Sequence, residues 1–182
     1  MKMSSRPHLA QQRVHAHLPF DGSGLRLAEV HHRGNTNASV EEAMHIGKLV
    51  NDLLASAPTW TNEKGETLPL TAKDIVITTP YNAQVAALRV HVPPDVPVGT
   101  VDKFQGQEAA IAIYSLATST PEDAPRGMEF LYSKNRLNVA ISRAKCIAML
   151  VGAPAIFQPR CKTPWQMELA NAFCRFRELA RG

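Results

Sequence analysis

The chain is poor in cysteine and has no long apolar run. Three cysteines, Cys146, Cys161 and Cys174, stand far apart with no CxxC pair among them, so neither a zinc ribbon nor an iron–sulfur cluster is indicated. An odd number also argues against a disulfide framework. A reducing, cytoplasmic setting is the simpler reading, with all three as small buried or semi-buried residues. The longest apolar runs are strand-sized, which excludes a membrane span. Met1 to Gln12 carries charge with no apolar stretch after it, so no secretory signal is expected. Charge is close to balanced, 20 Lys and Arg against 16 Asp and Glu, for a formal +4. This mild basic excess fits a polyanionic partner without requiring one.

What is present is an ordinary globular composition, 45% hydrophobic and 20% charged over 182 residues, enough for one domain with a substantial core. Residues 1–24 read as a polar lead or linker ending in Asp21-Gly22-Ser23-Gly24, poorly packed or part of a missing domain. Residues 25–182 read as the domain itself. Leu25 to His31 predicts a strand, and Gly34-Asn35-Thr36-Asn37 a loop. Ser39-Val40-Glu41-Glu42 predicts a capping box, with Glu42 reaching back to the Ser39 amide. A helix follows to about Ala55, carried by Ala43, Ile46, Gly47, Val50, Leu53 and Leu54. Thr59 to Ala72 reads as a loop.

From Asp74 the pattern alternates. Ile75-Val76-Ile77 predicts a strand buried on both faces, Tyr81 to Val90 a helix, and Val98 to Val101 and Ala109 to Leu116 two strands. Pro121 to Gly127 reads as a loop, Asn135 to Ala144 as a helix and Cys146 to Val151 as a strand. Thr163-Pro164-Trp165-Gln166 opens a last helix whose Leu169, Phe173, Phe176 and Ala180 face the core. Short strands separated by helices imply a parallel sheet covered on both faces, with ligands outside the carboxyl ends of its strands.

Three segments exceed what such a sheet needs. In Thr78-Thr79-Pro80-Tyr81-Asn82-Ala83-Gln84, Pro80 pre-sets a turn and free amides at the helix start suit a phosphate; a plain capped turn would read the same way. Val98 to Glu108 is mostly polar or Gly between two strands, whereas a hairpin needs only a tight turn. Gly106 allows close backbone approach and Glu108 could accept from a ribose hydroxyl, although a solvated loop also fits. In Asn135 to Ala144, Leu137, Ala140, Ile141 and Ala144 share one face. Arg136 and Arg143, two turns apart on that helix, would project together and fork onto phosphate oxygens; two surface arginines are the alternative.

The order of these segments resembles the second motor domain of superfamily 1 helicases, in the branch of the nonsense-mediated-decay helicase and its bacterial relatives. Thr79 to Gln84 resembles the TPYxxQ element, Val98 to Glu108 motif V of the form VxTVDxFQGxE, and Asn135 to Arg143 motif VI, RLNVAxSRA. The likeness runs from about Leu25 to Ala180. It implies a three-layer α/β RecA-like domain of the P-loop NTPase type, with a mostly parallel sheet flanked by helices. It also implies that Arg143 is the arginine finger of ATP hydrolysis, supported by Arg136. Gln105, Gly106 and Glu108 would lie at the nucleotide, and Thr79, Pro80, Tyr81, Gln84 and Thr100 at single-stranded DNA or RNA.

No GxxxxGK(S/T) occurs; Gly47-Lys48 sits mid-helix without the upstream glycine. No acidic Walker B strand is visible either. ATP with Mg²⁺ is therefore expected to be shared with an N-terminal P-loop domain, in cis or in trans, and this chain alone to be inactive. The alternative is a stand-alone, non-catalytic nucleic-acid-binding or regulatory domain left by truncation of a helicase.

Overall fold

Runs such as Ile75-Val76-Ile77 and Ala109 to Tyr114 offer solvent no polar face, so they can persist only inside a sheet covered on both sides. The computed structural model describes residues 11–104 and 107–180. Its strands are β1 (Arg13–His15), β2 (Gly24–Glu29), β3 (Thr59–Thr61), β4 (Thr67–Pro69), β5 (Ile75–Thr79), β6 (Val98–Thr100), β7 (Ala109–Ser115) and β8 (Ala144–Gly152). Its helices are α1 (Val40–Ala55), α2 (Asn82–His91), α3 (Gly127–Leu131), α4 (Lys134–Ile141), α5 (Pro154–Phe157) and α6 (Pro164–Ala180). The main sheet runs β2-β8-β7-β5-β6, parallel throughout.

The two faces separate by the strand period of two. Ile111, Ile113, Ile147 and Met149 join Ile46, Val50 and Leu88 under α1 and α2, while Tyr114 and Leu150 join Leu137, Phe173 and Phe176 under α4 and α6. This is the three-layer α/β arrangement expected, and each fully buried Ile or Leu in it stabilises the fold by about 1.5–3 kcal/mol. Gly47 sits mid-helix for a packing reason: a Cβ there would stand 2.5 Å from the His91 carbonyl oxygen, so only glycine lets α1 meet the end of α2.

Four expectations are corrected. The lead is not loose from Gln11 on: Val14 pairs with Trp60 and is 0% exposed, and Phe20 is buried in the same core. Two apolar side chains in a polar stretch suffice to anchor it, a signal too sparse for a periodicity argument. Residues 1–10 lie outside the described residues. The expected loop from Thr59 is a hairpin in which β3 pairs antiparallel with β4; its strands are three residues each, too short to show alternation. Asn62 Oδ1 accepts from the Lys64 and Glu66 amides to shape its tip. Gly127 opens the short helix α3 rather than ending a loop. Helix α4 stops at Ile141, with Ser142 as its cap, and Ala144 already begins β8.

Candidate functional site

The connection after β5 leads outward to β6, while that after β7 leads the other way to β8. The crevice beyond the carboxyl ends of β5 and β7 is therefore a topological switch point, where open α/β sheets commonly bind ligands. Here it is filled by an internal polar network. Glu42, 0% exposed, accepts from Ser115 Oγ at 2.6 Å and from the Ala117 amide at 3.1 and 3.0 Å. Its Oε1 lies 2.9 Å from His32 Nε2, and both side chains are fully buried. His32 Nδ1 meets Ser119 Oγ at 2.8 Å.

Only half of the expected capping box forms. Ser39 Oγ accepts from the Glu42 amide at 3.1 Å, but the Ser39 amide donates to Gln84 Oε1 at 2.7 Å instead of to Glu42. Gln84 Nε2 also donates to the Ser39 carbonyl and to Ser115 Oγ. Gln84 and Thr79 are both 0% exposed. Their assignment to nucleic acid is corrected on that ground, because both side chains face inward. Tyr81 is nearly buried too; its ring stands 5.5 Å from that of Phe130 and its hydroxyl accepts from Thr118 Oγ1 at 3.4 Å. Burial holds the Tyr81 phenol above its ordinary pKa. Pro80 and Thr100 stay partly exposed at the ends of β5 and β6.

The other edge of the sheet is differently built. Val98 to Glu108 must run from the carboxyl end of β6 back to the start of the parallel β7, so it cannot be a hairpin. It turns through a 3-10 segment, Val101–Phe104, whose Phe104 ring packs where a Cβ on Gly99 would be 2.7 Å away. Glu108 and Arg143 then immediately precede β7 and β8, and the Ala109 amide donates to the Arg143 carbonyl at 2.9 Å. Glu108 is exposed, with Oε2 3.7 Å from Lys145 Nζ. Arg143 Nε donates to the Val139 carbonyl at 3.0 Å and Nη2 to Ser142 Oγ at 3.4 Å. Gln105 and Gly106 lie outside the described residues. Glu108 and Arg143 thus sit at strand starts, not at the carboxyl ends where ligands were expected.

Arg136 does not accompany Arg143. Because α4 ends at Ile141, the two arginines are not two turns apart on one helix, and the argument for a common direction fails. Arg136 lies instead near the start of α4, its guanidinium 4.1 Å from the centre of the Phe130 ring, with Arg126 at 3.9 Å. His32, Arg126 and Phe130 were not singled out in the sequence, nor was Glu42 as part of a site. Only Glu42 had a visible signal there, and it read as a cap.

Chemically, the amino edge offers a guanidinium suited to phosphate and a carboxylate suited to a ribose hydroxyl. No group of three His, Cys, Asp or Glu able to hold a metal occurs among the described residues. Nor, among those residues, is any helix long and apolar enough to cross a membrane.

Residues 6–155 match the family described as AAA domain. The chain is 45% identical over 86 residues to the DNA polymerase alpha-associated DNA helicase A of Schizosaccharomyces pombe, covering 46% of this chain and 13% of that protein. It is 36% identical over 94 residues to the RNA helicase Mov10l1 of Homo sapiens, covering 48% and 8%. It is 31% identical over 131 residues to the DNA replication ATP-dependent helicase/nuclease JHS1 of Arabidopsis thaliana, covering 71% and 9%. The chain spans roughly a tenth of the length of these relatives.

Proposed function

The chain belongs to the AAA domain family, and from that premise we propose that it is the C-terminal motor half of an ATP-dependent superfamily 1 helicase. Its role is to supply Arg143 to a nucleotide held mainly by a P-loop domain, and to hold part of a single strand of DNA or RNA. The observation that supports this most is the meeting of Glu108 and Arg143, distant in sequence, at adjacent strand starts joined by the Ala109–Arg143 hydrogen bond. The likeness to proteins named as helicases supports it independently.

In this reading Arg143 turns from the end of α4 toward the γ-phosphate and neutralises charge that develops as the phosphoryl group leaves. ATP with Mg²⁺ supplies the free energy of movement when bound between the two domains. Glu108 accepts from the ribose, and Gln105 and Gly106 bind nucleotide as the resemblance implies. Arg136 belongs to the opposite edge and has no catalytic role. Among the strand contacts, Thr100 and Pro80 remain, and Thr79, Tyr81 and Gln84 act by shaping the turn. Metal and phosphate cradle come from the partner domain, so the chain alone does not hydrolyse ATP. The three free thiols fit a reducing, cytoplasmic setting.

The test is ATPase activity stimulated by single-stranded DNA, measured on the chain alone and then joined to a related P-loop domain. Activity only in the joined protein, abolished by Arg143→Ala, is the expected result. If Arg143→Ala leaves the joined protein's activity intact, the chain is a non-catalytic binding domain instead.

A further inference from the structure

Arg126 and Arg136 are set apart in this molecule by what holds them. Lys48, Lys145, Arg175 and Arg177 each have a carboxylate in reach, and Arg26, Arg89 and Arg143 donate to backbone carbonyls. The guanidinium groups of Arg126 and Arg136 have no such hydrogen bond or ion pair among the described residues. Both stack on one ring, that of Phe130, at 3.9 and 4.1 Å from its centre. Stacking fixes the plane of a guanidinium while leaving its N–H edge unused, so two sets of donors are oriented and unsatisfied.

The charges also lie well within a Debye length of about 10 Å at 0.1 M salt, so they repel each other, and among the described residues neither has a carboxylate in ion-pair contact. An anion shared between them removes that repulsion and satisfies the donors together. Phe130 packs against Tyr81, whose hydroxyl is tied to Thr118. The pair therefore stands over the carboxyl ends of β5 and β7, beside the partly exposed Pro80. Arg126 is open to solvent and Arg136 half-buried.

We propose that Arg126 and Arg136, mounted on Phe130, form a clamp for the phosphates of a single-stranded nucleic acid. This rests on the strand-holding part of the reading above and adds to it two residues and a platform. Helix α4 then links both edges: Arg136 near its start grips the strand, and Arg143 just past its end faces the nucleotide. Its 8 residues form a rod of about 12 Å, so a shift at one edge is carried to the other.

The experiment titrates the full chain against a fluorescent single-stranded oligonucleotide by anisotropy, across a series of salt concentrations. Removing both charges with Arg126→Gln and Arg136→Gln weakens binding about tenfold or more at low salt. It also flattens the plot of log K against log salt by about 1.4, the loss of two phosphate contacts. Arg175→Gln on α6 removes one charge elsewhere and changes affinity less than about twofold, as a non-contacting charge should. Arg126→Lys with Arg136→Lys retains charge without the planar stack and falls between wild type and the Gln pair. Wild-type affinity and slope in the Gln pair overturn the clamp and leave the helicase reading standing. A wild-type chain that binds no single strand overturns the clamp together with the strand-holding role, while the Arg143→Ala ATPase test still decides the catalytic role by itself.

Discussion

The two edges of the parallel sheet hold polar residues under opposite conditions. At the carboxyl edge Glu42, Gln84, Ser115 and Ser39 are buried, and their side chains are occupied by one another and by backbone. At the amino edge Glu108 is exposed, meets Lys145 only at 3.7 Å, and Arg143 uses part of its guanidinium on the end of α4. Both edges look alike in a sequence, as clusters of polar residues beside strands. The difference teaches that residue type marks the places with suitable chemistry, while solvent access and spare donors mark where a ligand can be met. On the carboxyl side Arg126 and Arg136 meet that second condition, and they stand above the buried network rather than in it.

The largest effect that would break this contrast concerns rate. Arg143→Ala should lower ATP turnover of the chain joined to a P-loop domain by about 10³- to 10⁵-fold, with urea unfolding changed by no more than about 0.5 kcal/mol. A large loss of stability would mean that Arg143 is structural, like the residues of the other edge. The reverse holds for Glu42. Truncation to Ala leaves His32, Ser115 and the Ala117 amide without their shared acceptor. Breaking a buried pair in this way costs about 3–5 kcal/mol, and the melting temperature should fall on the order of 10 °C. A drop below about 1 kcal/mol would show that the carboxyl edge is not held by this network.

These cases explain what the sequence could convey. The strand–helix alternation was legible because periods of two and 3.6 carry it: Ile75 to Thr79 and α1 are buried much as patterned. Helix α6 starts at Pro164, with Thr163 Oγ1 accepting from the Gln166 amide as expected. Contacts between distant residues were not legible. Nothing local to Glu42 distinguishes an acceptor for a capping amide from one for Ser115 and His32, because the choice depends on where β7 ends. The approach of Glu108 to the Arg143 backbone follows from strand register, again non-local. Helix α4 ended early because the strand pairing of Ala144 with Ala109 outweighs one more helical turn, and that single change separated Arg136 from Arg143.

A smaller effect sharpens the contrast by asking what supports the carboxyl edge from behind. Helix α1, which carries Glu42, packs on α2, which carries Gln84, through Gly47. Gly47→Ala raises intrinsic helix propensity by about 1 kcal/mol, yet its Cβ meets the His91 carbonyl at 2.5 Å. Backbone cannot yield as a flexible side chain can, so overpacking of about 1–3 kcal/mol should win. Thermal unfolding is the check: a stabilised Gly47→Ala variant would show that α1 and α2 slide freely and do not fix the network.

The gentlest measurement perturbs nothing and reads the amino edge itself. Cys146 lies three residues into β8, next to the Lys145 that pairs with Glu108, and burial raises its thiol to about 11. A thiol raised above its ordinary value of about 8.5 is protonated throughout the physiological range, so its contribution to stability is present below about 8.5 and fades as pH rises toward 11. At pH 8 roughly one molecule in a thousand carries the thiolate that alkylates. Iodoacetamide, followed by peptide mass analysis, should therefore label Cys146 far more slowly than it does the same residue in urea. If the strand starts open to admit nucleotide, labelling should quicken when the joined motor turns over ATP, although Cys146 touches no ligand. A Cys146 that labels rapidly at rest would mean that the start of β8 is already open, and that the exposure of Glu108 reflects fraying instead of a prepared binding edge.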